Sequence, residues 1–156
     1  MTNSLTNAFV RDWMTPNPVY ITPKTTLPQA HRLIKDRHIR RLPVMDSGRL
    51  VGIVTLGDIR ETEPSPATSL SIHELNYLLD QLPVEKFMTR DPITVLPMTT
   101  IQEAASLMLT YKISGLPVMD GGQLVGIITE SDIFRMLVRG LKGVSSSAST
   151  RAPAAS

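Results

Sequence analysis

Two stretches of the chain carry an apolar, β-branched run directly into a helix-opening signal: Leu50-Val-Gly-Ile-Val-Thr-Leu-Gly-Asp-Ile59 and Leu124-Val-Gly-Ile-Ile-Thr-Glu-Ser-Asp-Ile133. In each, Thr-x-x-Asp closes the run. A Thr at an N-cap accepts a hydrogen bond from a free backbone N–H, and an acid three positions on faces the positive end of the helix dipole. The pattern predicts strand, tight turn, helix. Upstream, Ile39 to Asp46 forms a second apolar run joined through Ser47-Gly48 to Arg49–Val54, which predicts a hairpin with a turn that tolerates positive φ. Pro43 cannot donate to a ladder, so it marks a strand start or an edge.

Helical periodicity accounts for most of the remaining apolar positions. Val10, Trp13 and Met14 fall at helical spacing before Pro16 and Pro18 stop them, and Trp13 is expected to be a packing anchor. Val19 to Ile21 reads as a short strand ended by Pro23. Thr26-Leu-Pro-Gln29 is a capping box, and Leu27, Ala30, Leu33 and Ile34 share one face of a helix reaching about His38. Its other face holds His31, Arg32, Lys35, Asp36 and Arg37. Ser71-Ile-His-Glu74 opens a connector helix with an apolar stripe of Ile72, Leu75, Leu79 and Leu82 that ends at Pro83. Thr100-Ile-Gln-Glu103 opens another, with Ile101, Ala104, Ala105 and Met108 inside. After Asp132, the residues Ile133, Met136 and Leu137 continue a helix that Gly140 can terminate.

These elements occur twice at a constant offset of 74 residues: Met14 and Met88, Pro23 and Pro97, Pro43 and Pro117, Gly52 and Gly126, Asp58 and Asp132. Each copy runs strand, helix, strand, strand, helix. Two equivalent units are too few for a solenoid and are expected to pair face to face about a pseudo-two-fold axis. The division is an N-terminal extension (1–9), a first repeat (10–61), a linker and connector helix (62–83), a second repeat (84–140) and a Ser/Ala-rich tail expected to be disordered (141–156).

Composition narrows the function classes. At 156 residues and 42% hydrophobic content the chain can bury a core, and the absence of cysteine excludes disulfides, cysteine–zinc sites and thiol catalysis. No apolar run approaches a bilayer span, and Met1 to Phe9 lacks the features of a signal peptide, so a cytoplasmic protein is expected. An excess of 16 Lys and Arg over 14 Asp and Glu is too small to argue for nucleic acid. His31 and His38 lack a third ligand and make no metal site. There is no Gly-x-x-x-x-Gly-Lys loop, no Gly-x-Gly-x-x-Gly and no nucleophile–His pair, which argues against an enzyme.

The candidate chemistry lies in the duplicated turn. Thr55 with Asp58, and Thr129 with Asp132, are explained as helix caps alone. Taken singly each pair reads first as a cap, yet both also suit a ribose-phosphate, since a carboxylate accepts from two sugar hydroxyls while a Thr hydroxyl and a helix N-terminus suit a phosphate oxygen. Recurrence of both residue types in both copies favours the second reading in part.

The paired units, the Leu-Pro-Val-Met-Asp segments and the Gly-Ile-x-Thr-x-x-Asp segments together resemble tandem CBS domains, a Bateman module, over about Val10 to Val138. The resemblance implies an α/β (α+β) fold of two β-α-β-β-α repeats, with clefts between them that bind AMP, ADP, ATP or S-adenosylmethionine as a regulatory ligand. It places the ribose on Asp58 and Asp132, and ribose or phosphate on Thr55 and Thr129. Adenine falls to the backbone of the first strands (Val19, Tyr20 and Thr22; Ile93, Thr94 and Leu96) and to the segments before Pro-Val (Arg40, Arg41 and Pro43; Ser114, Gly115 and Pro117). Arg40-Arg41 is similar to the phosphate-binding basic pair of the AMP-activated kinase regulatory subunit, whereas the second copy has Ser114-Gly115, so unequal sites are expected. The resemblance further implies a homodimer and a regulated partner in trans. An adapter dimer with vestigial clefts, and an enzyme or nucleic-acid binder, are the other classes.

Overall fold

Capping and turn chemistry set the element boundaries in the computed structural model, which describes residues 7–62 and 71–144. In chain order the elements are α1 (Val10–Trp13), β1 (Thr15–Pro16), α2 (Leu27–Arg37), β2 (Arg41–Asp46), β3 (Arg49–Thr55), α3 (Leu56–Thr62) and α4 (Ile72–Asp80). A 3₁₀ turn (Val84–Lys86) then leads to β4 (Thr89–Arg90), α5 (Ile101–Tyr111), β5 (Gly115–Asp120), β6 (Gln123–Thr129) and α6 (Glu130–Val144). The expected disordered tail beyond residue 144 and most of the Pro/Ser linker lie outside the described residues.

All three predicted capping boxes form reciprocally, at Thr26–Gln29, Ser71–Glu74 and Thr100–Glu103. Both hairpins close on two residues of positive φ, Ser47 (52°) with Gly48 (79°) and Gly121 (58°) with Gly122 (81°). That is the turn whose twist matches the flanking strands. Pro43 sits within β2, which is the edge of its sheet, so its missing N–H costs no ladder bond.

The leader preceding each repeat packs on the other repeat. Strand β1 pairs with β6, and β4 pairs with β3, giving two three-stranded sheets of order β1-β6-β5 and β2-β3-β4. The exchange is reciprocal down to single hydrogen bonds. Val10 N–H donates to the Thr99 carbonyl as Val84 N–H donates to Thr25, and Ile101 N–H donates to Ala8 as Leu27 N–H donates to Leu82, all at 2.8–2.9 Å. Each pair is related by the 74-residue offset, so the predicted pseudo-two-fold relation holds at the level of the backbone. Glycine makes the exchange possible. A Cβ on Gly52 would overlap the Met88 side chain and come within 3.0 Å of the Thr89 carbonyl, and one on Gly126 would meet Met14 and Thr15 in the same way.

Two cores result. Leu27, Ala30, Ile34, Leu42, Val44, Val54 and Ile59 take in Val84, Phe87 and Met88 from the second leader. Ile101, Ala104, Met108, Leu116, Val118, Ile128 and Met136 take in Val10, Trp13 and Met14 from the first. Trp13 is thus the packing residue expected of it, half-buried under the guanidinium of Arg139.

Two sequence expectations are corrected. The first strand of each repeat is reduced to a single parallel bridge, Ile21 to Val44 and Val95 to Val118, in a segment bounded by prolines that cannot donate to an extension of the ladder. Helix α6 also runs through Gly140 to Val144. Gly140 is not in the left-handed conformation that ends a helix, and within a helix a glycine costs only about 1 kcal/mol relative to alanine.

Candidate functional site

Strands β2 and β5 begin side by side at the pseudo-two-fold axis, and the Thr-x-x-Asp turns flank them. This arrangement opens two clefts between the repeats, of about 840 Å³ beside Asp58 and about 460 Å³ beside Asp132.

The Asp58 cleft takes Thr55, Gly57, Asp58 and Arg60 from the β3–α3 turn, and Asp91, Pro92 and Ile93 from the connection after β4. Its opposite wall is Lys112, Ile113, Ser114 and Gly115 leading into β5, with Ile53 and Pro117 as apolar floor. The Asp132 cleft is built correspondingly from Thr129, Glu130, Asp132 and Arg135, from Asn17, Pro18 and Val19, and from His38 and Ile39. Arg40, Arg41 and Ser114 line both.

The two Thr–Asp pairs are caps, and they are not equally engaged. Asp58 Oδ2 accepts from Thr55 N–H at 2.9 Å and Asp58 N–H donates to Thr55 Oγ1 at 3.0 Å. That leaves Asp58 Oδ1 without a hydrogen-bond donor among the described residues. Asp132 is buried, and its Oδ2 accepts from both Thr129 N–H (2.9 Å) and the Thr129 hydroxyl (3.0 Å). Its Oδ1 takes a charge-assisted bond from Arg135 Nη1 at 2.8 Å. The first carboxylate thus keeps one oxygen without a donor among the described residues, whereas both oxygens of the second are already engaged.

Arg40 and Arg41 part company. Arg40 is exposed on the cleft wall, whereas Arg41 is 9% exposed and reaches across the axis. Its Nη1 donates to the Ser114 carbonyl at 3.0 Å and its Nη2 to Ser114 Oγ at 2.6 Å. Burial pulls the Arg41 pKa down from its ordinary value, with Glu130 opposing that most strongly. The space it occupies exists because residue 115 is glycine, since a Cβ there would overlap the guanidinium. The basic pair therefore does not belong to one cleft, and Ser114-Gly115 does not leave its own cleft without cations.

Eleven of the sixteen sequence-derived site residues line a cleft: Val19, Arg40, Arg41, Thr55, Asp58, Ile93, Ser114, Gly115, Pro117, Thr129 and Asp132. The other five do not. Tyr20 is exposed away from both clefts and Thr22 is occupied with Thr25 in a local turn, because the backbone after Val19 leaves the cleft to run along β2. Thr94 and Leu96 leave in the same way beside β5 and line a separate groove along α5. Pro43 is fully buried inside β2. Sequence reasoning missed Arg60, Asp91, Lys112, His38 and Arg135. The first and last follow Asp58 and Asp132 within one helical turn, and His38 and Lys112 are the left-handed caps that end α2 and α5 just before the cleft strands.

Comparison with known proteins gives one consistent result. A family model described as "CBS domain" matches residues 10–64 and 84–139. The inosine-5′-monophosphate dehydrogenase of Korarchaeum cryptofilum is 37% identical over 117 residues, covering 74% of this chain and 21% of that enzyme, so the chain spans about a fifth of that relative's length. The crystal structure of CBSX2 in complex with AMP superposes with a TM-score of 0.70 at 31% identity, over 85% of this chain and 97% of that one. The CBS domain pair of protein MJ0100, in complex with methylthioadenosine and S-adenosyl-L-methionine, superposes with a TM-score of 0.70 at 28% identity over the same shares.

Proposed function

The chain belongs to the CBS domain family, and from that membership we propose that its clefts bind an adenosine-containing regulatory ligand and that it carries no catalysis of its own. The observation that carries this reading is the meeting, at each cleft, of a Thr-x-x-Asp turn from one repeat with the leader and helix end of the other. A ligand held there touches both repeats, so its differential affinity for their relative orientations becomes a signal to a partner in trans. The ligands bound to CBSX2 and to the MJ0100 pair, AMP on one side and methylthioadenosine and S-adenosyl-L-methionine on the other, support an adenosine-containing class.

The test is a thermal-shift and calorimetry panel of AMP, ADP, ATP, S-adenosylmethionine and NAD. A ligand at about 100 times its Kd adds about 2.7 kcal/mol of stability. A panel with no shift and no heat rejects the reading in favour of an adapter with vestigial clefts. One observation favours that second reading: reciprocal capping already accounts for both Thr–Asp pairs.

A homodimer is part of the proposal. The outward face of α2 bears His31, Arg32, Lys35, Asp36 and Arg37, while the same register of α5 bears Ser106, Leu109, Thr110, Tyr111 and Ala105, the last expected inside but only half-buried and outside the core cluster. Leu109 is 81% exposed, and Tyr111 on α5 and Phe134 and Val138 on α6 are exposed as well. One fold position that is charged in one copy and uncharged in the other fits a covered face. Light scattering at micromolar concentration tests it, and a monomer mass excludes it.

A further inference from the structure

The two clefts share a wall, and its charge is not duplicated. Each has its own Thr, its own Asp and its own leader, yet Arg40, Arg41 and Ser114 line both. Residues 114 and 115, the counterparts of Arg40 and Arg41, are serine and glycine. The Arg41 guanidinium lies nearly buried between the clefts and tied to Ser114. We infer that the clefts compete for this one pair of arginines, so that an anionic ligand in either cleft weakens the binding of an anionic ligand in the other. The inference rests on the reading of the clefts as nucleotide sites and adds how one occupancy bears on the next.

Charge supports it. Without the shared pair, the Asp58 cleft holds Arg60 and Lys112 against Asp58 and Asp91, a balance of zero. The Asp132 cleft holds Arg135 against Glu130 and Asp132, a balance of −1. Neither has positive charge to spare for a phosphate until Arg40 and Arg41 are counted. Guanidinium binds phosphate through a rigid fork of donors, and a fork turned into one cleft is turned out of the other. Two phosphates at one partly buried wall also repel through a medium that screens them weakly. A nucleoside without phosphate makes no demand on the arginines and is exempt. Coupling of this kind acts equally in both directions.

Calorimetric titration of the full chain with AMP and with adenosine tests this, using Asp58→Ala to close one cleft, Asp58→Asn as a second variant that keeps a capping side chain, and Arg41→Gln to remove the shared fork. The Asp58 cleft, larger and less acidic, fills first. The expected result is that AMP binds the Asp132 cleft at least tenfold more tightly in Asp58→Ala or Asp58→Asn than in the second event of the unaltered chain, or that the unaltered chain shows no second event. Adenosine gives the same affinity in both, and in Arg41→Gln the AMP difference narrows to what Arg40 and the repulsion between phosphates still supply. AMP affinities of the Asp132 cleft that agree with the Asp58 cleft filled or disabled overturn the coupling alone, as does failure of both Asp58 variants to bind AMP. Absence of AMP binding to the unaltered chain overturns the nucleotide reading and the coupling together.

Discussion

Arg41 occupies the space that Gly115 leaves empty, although the two residues hold the same position in their repeats. An axis of pseudo-symmetry has room for one long side chain, and here the first repeat supplies it. Gly115→Ala places a methyl group on the guanidinium and displaces it from Ser114. The expected loss is about 1–3 kcal/mol, the usual range for overpacking. In an Arg41→Ala background the same substitution no longer meets the guanidinium and costs much less. A double-mutant cycle in urea measures the difference, and additive effects would refute the relationship.

Asp132→Ala is expected to destabilise more than Asp58→Ala. Asp132 is buried and serves Thr129 N–H and the Thr129 hydroxyl as well as the solvent-exposed Arg135, so its removal takes the partner from both Thr129 donors and costs about 2 kcal/mol. Asp58 is half-buried and serves Thr55 N–H alone, for which about 1 kcal/mol is typical of a lost cap. Equal shifts in the urea midpoint of the two variants would contradict the unequal engagement of the two carboxylates.

Gly52→Ala and Gly126→Ala each force a leader off its sheet. The new methyl meets a methionine side chain, which can move, and a carbonyl oxygen at 3.0 Å, which can move only with its strand. Both variants are expected to lose about 1–3 kcal/mol and to lower Tm by about 2–4 °C per kcal/mol. Hydrogen exchange should locate the loosening at Thr89–Arg90 in the first and at Thr15 and Asn17 in the second. Loosening elsewhere would show that the glycines serve another purpose.

The ion pair of Lys24 with Glu85, at 2.7 Å, joins the first repeat to the leader that docks on it. A hydrogen bond from Lys24 holds the Glu85 carboxyl below its ordinary pKa. Because the folded value is depressed, its contribution to stability is full above the ordinary glutamate value of about 4.3 and fades as pH falls through the folded value. Glu85→Gln should therefore melt slightly lower than the unaltered chain at pH 7 in low salt and indistinguishably from it at pH 2. The gap should also close in 1 M salt, since the pair is on the surface. A gap that persists at pH 2 would assign the effect to something other than charge.

Local signals were read correctly because their causes are local. Capping boxes at Thr26, Ser71 and Thr100, the Ser47-Gly48 turn and the 74-residue repeat depend on neighbours within a few positions or on simple self-comparison. Docking of Val10 and Met14 on the distant core was not legible, because a short apolar segment carries no mark of which hydrophobic surface receives it. The same limit hid Lys112 and Arg60, whose charges look like ordinary solvated positions until the fold brings them to a cleft. Gly140 misled in the opposite direction. Glycine permits a helix to end without requiring it, and the residues beyond continue the turn. The family resemblance places adenine along the whole of each first strand, Tyr20, Thr22, Thr94 and Leu96 included, whereas each segment touches its cleft only at one end, at Val19 and at Ile93.

The exchanged leaders carry a consequence for the origin of this architecture. A solitary repeat would lack the partner groove on which its leader docks and the partner leader that fills its own groove, and a second identical molecule donating its arm in return would supply both. Fusing two such molecules end to end makes that trade permanent. It also frees each copy to drift, so that one could keep an arginine at the meeting point while the other gave it up.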